Sequence, residues 1–160
     1  MEVEIKDLSQ MNVAYIHNIG NYVNNADLFK KLFERLCGWA GPKNLINSDT
    51  IFLAVYYDDP KKTEPEKLKM DLCMTVSEGT EAEGDIQTQV LPEGKFAISR
   101  CEFKESSEYG KAWDELYNKW ILENEFQPDE RPCYEIYRND PKQHPEGLQI
   151  VDLCAPVVSV

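Results

Sequence analysis

Several of the signatures that assign a sequence to a class at once are missing from these 160 residues. No apolar stretch approaches the ~20 residues that a membrane helix needs, so no membrane partner is expected. The first residues, MEVEIKDLSQ, alternate charged and apolar positions and lack the basic start and apolar run of a secretory signal. The five cysteines (Cys37, Cys73, Cys101, Cys133 and Cys154) are odd in number, widely spaced and without a CxxC pair. That pattern argues against a disulfide framework or a zinc site and suits reduced thiols in the cytoplasm. No Ser-His-Asp, phosphate-loop or metal-ligand pattern is present, so neither a cofactor nor a metal is expected.

Positive charge is scarce. Lysine and arginine number 17 against 29 aspartates and glutamates, giving a formal net charge of −12. Phosphate binding needs clustered cations to release counterions, so nucleic acid is not expected as a direct ligand. An acidic surface would draw in cationic ligands or basic protein partners, or would simply keep the chain soluble, and the composition leaves both readings open. Hydrophobic content of 42% and charged content of 29% are globular values, and the length suits one domain.

What the sequence does have is a repeat. An offset of 81 places Trp39 on Trp120, Tyr56 on Tyr137, Asp59-Pro60 on Asp140-Pro141, and Asp71-Leu72-Cys73 on Asp152-Leu153-Cys154. Loop insertions shift the register locally: Pro65-Glu66-Lys67-Leu68 meets Pro145-Glu146-Gly147-Leu148 at 80, and Val13-Ala14-Tyr15 meets Phe96-Ala97-Ile98 at 83. Residues 77–85 are acidic, carry two glycines and read as the linker between copies 1–76 and 86–160.

Each copy predicts a strand, a second strand, an amphipathic helix and two further strands. Leu28, Phe29, Leu32, Phe33, Leu36, Trp39 and Ala40 fall within about 140° of arc, with Lys30, Lys31 and Glu34 opposite. Tyr109, Ala112, Trp113, Leu116, Tyr117, Trp120 and Ile121 form the second stripe. Asn24 or Asn25, and Ser106 or Ser107, are the candidate caps. The expected fold class is α+β: a pseudo-twofold duplication of a β-α-β-β unit, with two helices on antiparallel sheets around a central pocket.

One position breaks the symmetry. In Cys133-Tyr134-Glu135-Ile136-Tyr137, alternation puts Cys133, Glu135 and Tyr137 on one face, and Glu135 stands where the first copy has Ala54. A carboxylate among apolar neighbours costs several kcal/mol unless satisfied, so such a group tends to be functional; desolvation would raise its pKa. Against that, the face could be solvated, or Arg131 or Arg138 could pair with it. Tyr15, Tyr22, Trp39, Tyr56, Phe96, Trp113, Tyr117, Trp120 and Tyr137 are aromatics that could face a groove, or could be ordinary core. The two histidines, His17 and His144, read as structural or solvated.

These residues resemble the GyrI-like small-molecule-binding superfamily, and within it the stand-alone bacterial DNA gyrase inhibitor proteins. The resemblance rests on Ala54-Val55-Tyr56-Tyr57-Asp58-Asp59-Pro60, Pro65-Glu66-Lys67-Leu68, Pro132-Cys133-Tyr134-Glu135-Ile136-Tyr137 with Asn139, and the His17-x-x-Gly20-x-Tyr22 step before the first helix. It implies a duplicated fold whose pocket glutamate, here Glu135, meets lipophilic cations. Cys133, Tyr137, Tyr56, Tyr15, Tyr22, Trp39, Phe96, Trp113 and Tyr117 would be the remaining ligand-binding residues. It also implies toxin resistance, protection or inhibition of DNA gyrase, and in some members hydrolysis of cyclopropane-bearing alkylators. In a hydrolase Glu135 would be the base and Tyr137 would orient the leaving oxygen. Lys104-Glu105-Ser106 departs from the Gly-Pro-Tyr of many relatives, so one wall aromatic of those relatives is absent here. Three functions therefore stand open: a binding module, a hydrolase, and an acidic protein inhibitor that presses on gyrase without a ligand.

Overall fold

The computed structural model describes residues 1–160. The strands are β1 (Glu4–Leu8), β2 (Met11–Ile19), β3 (Phe52–Tyr56), β4 (Lys69–Thr75), β5 (Ile86–Leu91), β6 (Gly94–Phe103), β7 (Phe126–Pro128), β8 (Cys133–Tyr137) and β9 (Gln149–Ser159). The chain forms two compact units, one from Gln10–Pro92 and one from Met1–Ser9 with Glu93–Val160. They are named here for their helices, α1 (Ala26–Ala40) and α2 (Ser107–Glu115).

In the α1 unit the strand order is β3-β4-β2-β5, antiparallel throughout. The expected apolar stripe is the one that packs: Leu32, Leu36 and Ala40 are buried, while Lys30, Lys31 and Glu34 are exposed. Asn25 supplies the cap, its side-chain oxygen accepting from the Leu28 amide at 3.2 Å. Gly20, with φ +142°, turns the chain out of β2, and its amide donates to the Leu68 carbonyl at 2.8 Å.

In the α2 unit the order is β1-β6-β9-β8, again antiparallel, and the short β7 pairs with the end of β9. The opening strands are thus exchanged relative to the two halves of the sequence. β1 lies against β6, with Ile5 opposite Ala97, and β5 lies against β2, with Tyr15 opposite Gln87. Alternation marks each as a strand, but the partner is chosen by burial. Ile5 packs on the core of the α2 unit, whereas Ile86 and Leu91 are buried in the α1 unit.

The second helix differs from expectation in two ways. Neither serine caps it by its side chain: Ser106 already has helical dihedrals, and the Glu108 carboxylate instead accepts from the Lys104 and Glu105 amides at 2.6 and 2.7 Å. Those two bonds hold Glu108 below the usual carboxylate range. Further on, α2 runs into a π-helical turn (Leu116–Trp120) and then a last turn, α3 (Ile121–Glu123). A π turn shifts the side chains that follow it around the helix axis and is frequent at functional sites.

Paired strand residues share a face, so one face of the α2 unit carries Ala97, Phe103, Val151, Leu153, Ala155 and Val157. Leu116 and Ile121 close over it, joined by Tyr109, Trp113, Tyr117 and Trp120. Leu153 and Leu116 are fully buried, each worth about 2 kcal/mol relative to exposure. This is the face on which Glu135 lies, because Glu135 pairs with Leu153.

Candidate functional site

Glu135 is 3% exposed in the middle of β8, which rules out the solvated reading. Both carboxylate oxygens accept hydrogen bonds. The Trp113 indole Nε1–H donates to Oε2 at 2.7 Å, and the Tyr137 hydroxyl donates to Oε1 at 2.9 Å. One donor comes from the same strand two residues on, and the other reaches across from α2. The arginines that offered an alternative are engaged elsewhere: Arg138 bonds Asp152 at 2.7 Å, and Arg131 bonds Asp129 at 2.7 Å. Arg138 is three residues from Glu135 and so projects from the other face of the sheet.

Tyr109 is a member of this cluster that was read only as part of the helix stripe. Its ring lies 4.2 Å from that of Phe103, centroid to centroid. Burial first, then the negative charges of Glu135 and Glu108, push its phenol well above the usual tyrosine range, so it stays protonated at neutral pH. The signal was available: Tyr109 is four residues before Trp113 and therefore one turn above it on the same face.

The model for the GyrI-like small molecule binding domain matches residues 1–158. The chain belongs to this family. Among its relatives, the DNA gyrase inhibitor of Escherichia coli strain K12 is 30% identical over 144 residues, covering 88% of this chain and 87% of that protein. Two solved structures share the fold. The EcmrR C-terminal domain superposes with a TM-score of 0.81 at 16% identity, covering 99% and 98% of the two chains. SAV2435 bound to tetraphenylphosphonium does so with a TM-score of 0.65 at 12% identity, covering 99% and 94%.

Within this GyrI-like chain the predicted site residues divide. Glu135, Tyr137 and Trp113 form one hydrogen-bonded group, Tyr117 packs against the same core, and Cys133 shares the Glu135 face of β8. Phe96 lies elsewhere: it is buried beside Tyr134 at 5.0 Å, on the opposite face of the sheet, with the Arg131 guanidinium 4.8 Å from its ring. In the α1 unit, Tyr22 and Tyr56 pack together at 4.9 Å. Trp39 sits at the end of α1, where its indole donates to Glu83 at 3.1 Å. There, with Lys43, Leu45, Thr80 and Glu81, it borders a groove of about 560 Å³. Tyr15 lies on the β2 face that carries Asp71, because it pairs with Cys73 two residues further on.

The two residues assigned to the hydrolase arrangement meet directly, the Tyr137 hydroxyl donating to Glu135. No three His, Cys, Asp or Glu side chains are grouped to hold a metal. No helix is long and apolar enough to cross a membrane.

Proposed function

We propose that this chain binds lipophilic, cationic organic molecules at Glu135. The observation that carries the reading is a nearly inaccessible carboxylate held in place by an indole and a phenol inside a cluster of further aromatics. Those two donors orient the carboxylate without cancelling its charge. Aromatic faces add attraction for a delocalised cation, about 0.5–2 kcal/mol for each well-placed ring. A carboxylate in such surroundings is a poor structural device, because an apolar side chain of the same size packs there at lower cost. Support also comes from the fold shared with a protein solved with tetraphenylphosphonium. In a bacterial cytoplasm, such binding would sequester toxic cations and contribute to resistance.

The test is quenching of tryptophan fluorescence by tetraphenylphosphonium and by a neutral analogue of equal size. Saturable binding of the cation, weakened about tenfold or more (~1.4 kcal/mol) in Glu135→Gln, is expected. Equal affinity in the two proteins sinks the assigned role.

A second reading is favoured by the net charge of −12 and by the gyrase-inhibitor names of the relatives. In it, the acidic surface contacts a basic face of DNA gyrase and protects or inhibits it. A salt-sensitive pull-down with gyrase, unchanged by Glu135→Gln, would support this contact independently of cation binding. Retention that does not depend on salt would count against it.

A further inference from the structure

The α1 unit holds a second buried carboxylate with a different set of partners. Asp71, in the middle of β4, is 2% exposed. Its Oδ1 lies 2.6 Å from His17 Nδ1, and its Oδ2 accepts from the Tyr57 hydroxyl at 2.5 Å and from Gln89 Nε2 at 2.9 Å. A carboxylate only accepts, so Nδ1 carries a proton toward it, and Nε2 is the ring nitrogen that Asp71 does not engage. The His17 side chain is 45% exposed. Tyr15, two residues before it on the same face of β2, has its phenol pushed up by burial and then by the charge of Asp71, and so remains a hydrogen-bond donor. Tyr57, 42% exposed, meets the same carboxylate through its hydroxyl.

The matched position of the α2 unit shows that this chemistry is not needed merely to bury an aspartate. At offset 83 His17 falls on Arg100, and at 81 Tyr57 falls on Arg138; these two arginines hold Asp152. Two permanent cations there do the structural task. In the α1 unit part of the same task is given to a half-exposed imidazole that the buried aspartate holds through Nδ1. A carboxylate on one ring nitrogen orients an imidazole and stabilises positive charge on it, and an imidazole can itself act as a nucleophile.

We propose that His17 is a nucleophile toward small activated aryl esters, with Asp71 as its positioning residue. Nε2 attacks the ester carbonyl carbon, the bond between that carbon and the aryloxy oxygen breaks, and the aryloxide leaves with the electron pair. The acylated ring carries positive charge, which the Asp71 carboxylate stabilises through Nδ1–H. Water then adds to the acyl carbon, the carbon–nitrogen bond breaks, a carboxylic acid is released, and the imidazolium left behind gives its Nε2 proton to solvent. Tyr15 and Tyr57 would flank the aryl group.

The probe is 4-nitrophenyl acetate, followed by nitrophenolate release and by mass spectrometry of the quenched protein. His17→Gln is expected to lose roughly tenfold or more of the protein-dependent rate, and the acetyl adduct is expected on His17. His144→Gln should stay within about twofold, because His144 lies in a separate 3₁₀ turn whose Nδ1 accepts from the Glu146 amide. Asp71→Asn should lower the rate and alter its pH profile, which a purely structural aspartate would not do. An unchanged rate in His17→Gln, or an adduct mapped to another residue, overturns the proposal. If Asp71→Asn does not fold, the exposed-site variant and the adduct map still decide. Nitrophenolate release and the adduct on His17 are read here, whereas tryptophan quenching reads cation binding, so the two tests fail separately.

Discussion

The two units solve the same problem, a carboxylate inside an antiparallel sheet, by different means. In the α2 unit Asp152 is 4% exposed and is clasped by Arg100, through Nε at 2.8 Å and Nη2 at 3.1 Å, and by Arg138 at 2.7 Å. In the α1 unit Asp71 has only donors that are neutral or titratable. On the helix-covered face the asymmetry runs the other way: Glu135 in the α2 unit answers to an alanine, Ala54, in the α1 unit. The residue that makes this tolerable is also asymmetric. At the offset that matches Trp39 with Trp120, Trp113 falls on Leu32, which has no donor to offer. A framework of matched strands can therefore carry a charged site or an apolar one, depending on whether the facing helix turn supplies a donor.

The strongest way to break this comparison is to move the carboxylate across. Ala54→Glu should destabilise by about 3–5 kcal/mol, because Ala54 is fully buried and Leu32 cannot hydrogen-bond a new charge. Urea unfolding measures it, and a loss below about 1 kcal/mol would show that the α1 unit already has room and donors for a glutamate.

Next in size is Asp152→Ala, which removes the buried acceptor of two arginines that are themselves 64% and 35% exposed, and should cost about 2–3 kcal/mol. Asp71→Ala, which strands neutral donors and one imidazole, should cost less, about 1–3 kcal/mol. Equal losses would remove the distinction drawn between the two clasps. Glu135→Ala should cost about 1–3 kcal/mol, since it leaves the Trp113 and Tyr137 donors without their acceptor; Glu135→Gln, which keeps an acceptor oxygen, should cost less.

Acid sharpens the contrast further. Burial raises the Asp152 carboxyl, but the hydrogen bonds and charges of Arg100 and Arg138 outweigh it and hold the group below its ordinary value. Its folded pKa is thus depressed below the unfolded one. The stability it contributes is present above the unfolded value, about 3.9, and is lost as pH falls through the folded value. In acid titrations of unfolding free energy, the wild type should therefore lose stability below about pH 4 by a component that Asp152→Asn lacks. Parallel curves for the two proteins would contradict it.

Much of this was legible in the sequence, and the limits have physical causes. Period 3.6 picked out Leu32, Leu36 and Ala40, and period 2 put Glu135 and Tyr137 on one face, because both patterns are local. The exchange of β1 and β5 was not legible, since alternation says that a segment is a strand and not which edge will receive it. Nor was the bond from Trp113, which depends on how α2 lies over the sheet, or the π turn, which inserts no recognisable residue. For His17 the sequence left structural and solvated readings open, because its partner, Asp71, lies 54 residues away in the chain and meets it only through strand pairing.

The central claim, that recognition centres on Glu135, is tested most directly by the indole N–H resonances of Trp39, Trp113 and Trp120, assigned by single Trp→Phe substitutions, during titration with tetraphenylphosphonium. The account predicts that the Trp113 resonance, whose proton is bonded to Glu135, shifts most, and that the shift is abolished in Glu135→Gln. Movement of the Trp39 resonance alone, with Trp113 unchanged, would place the ligand at the end of α1 and contradict it.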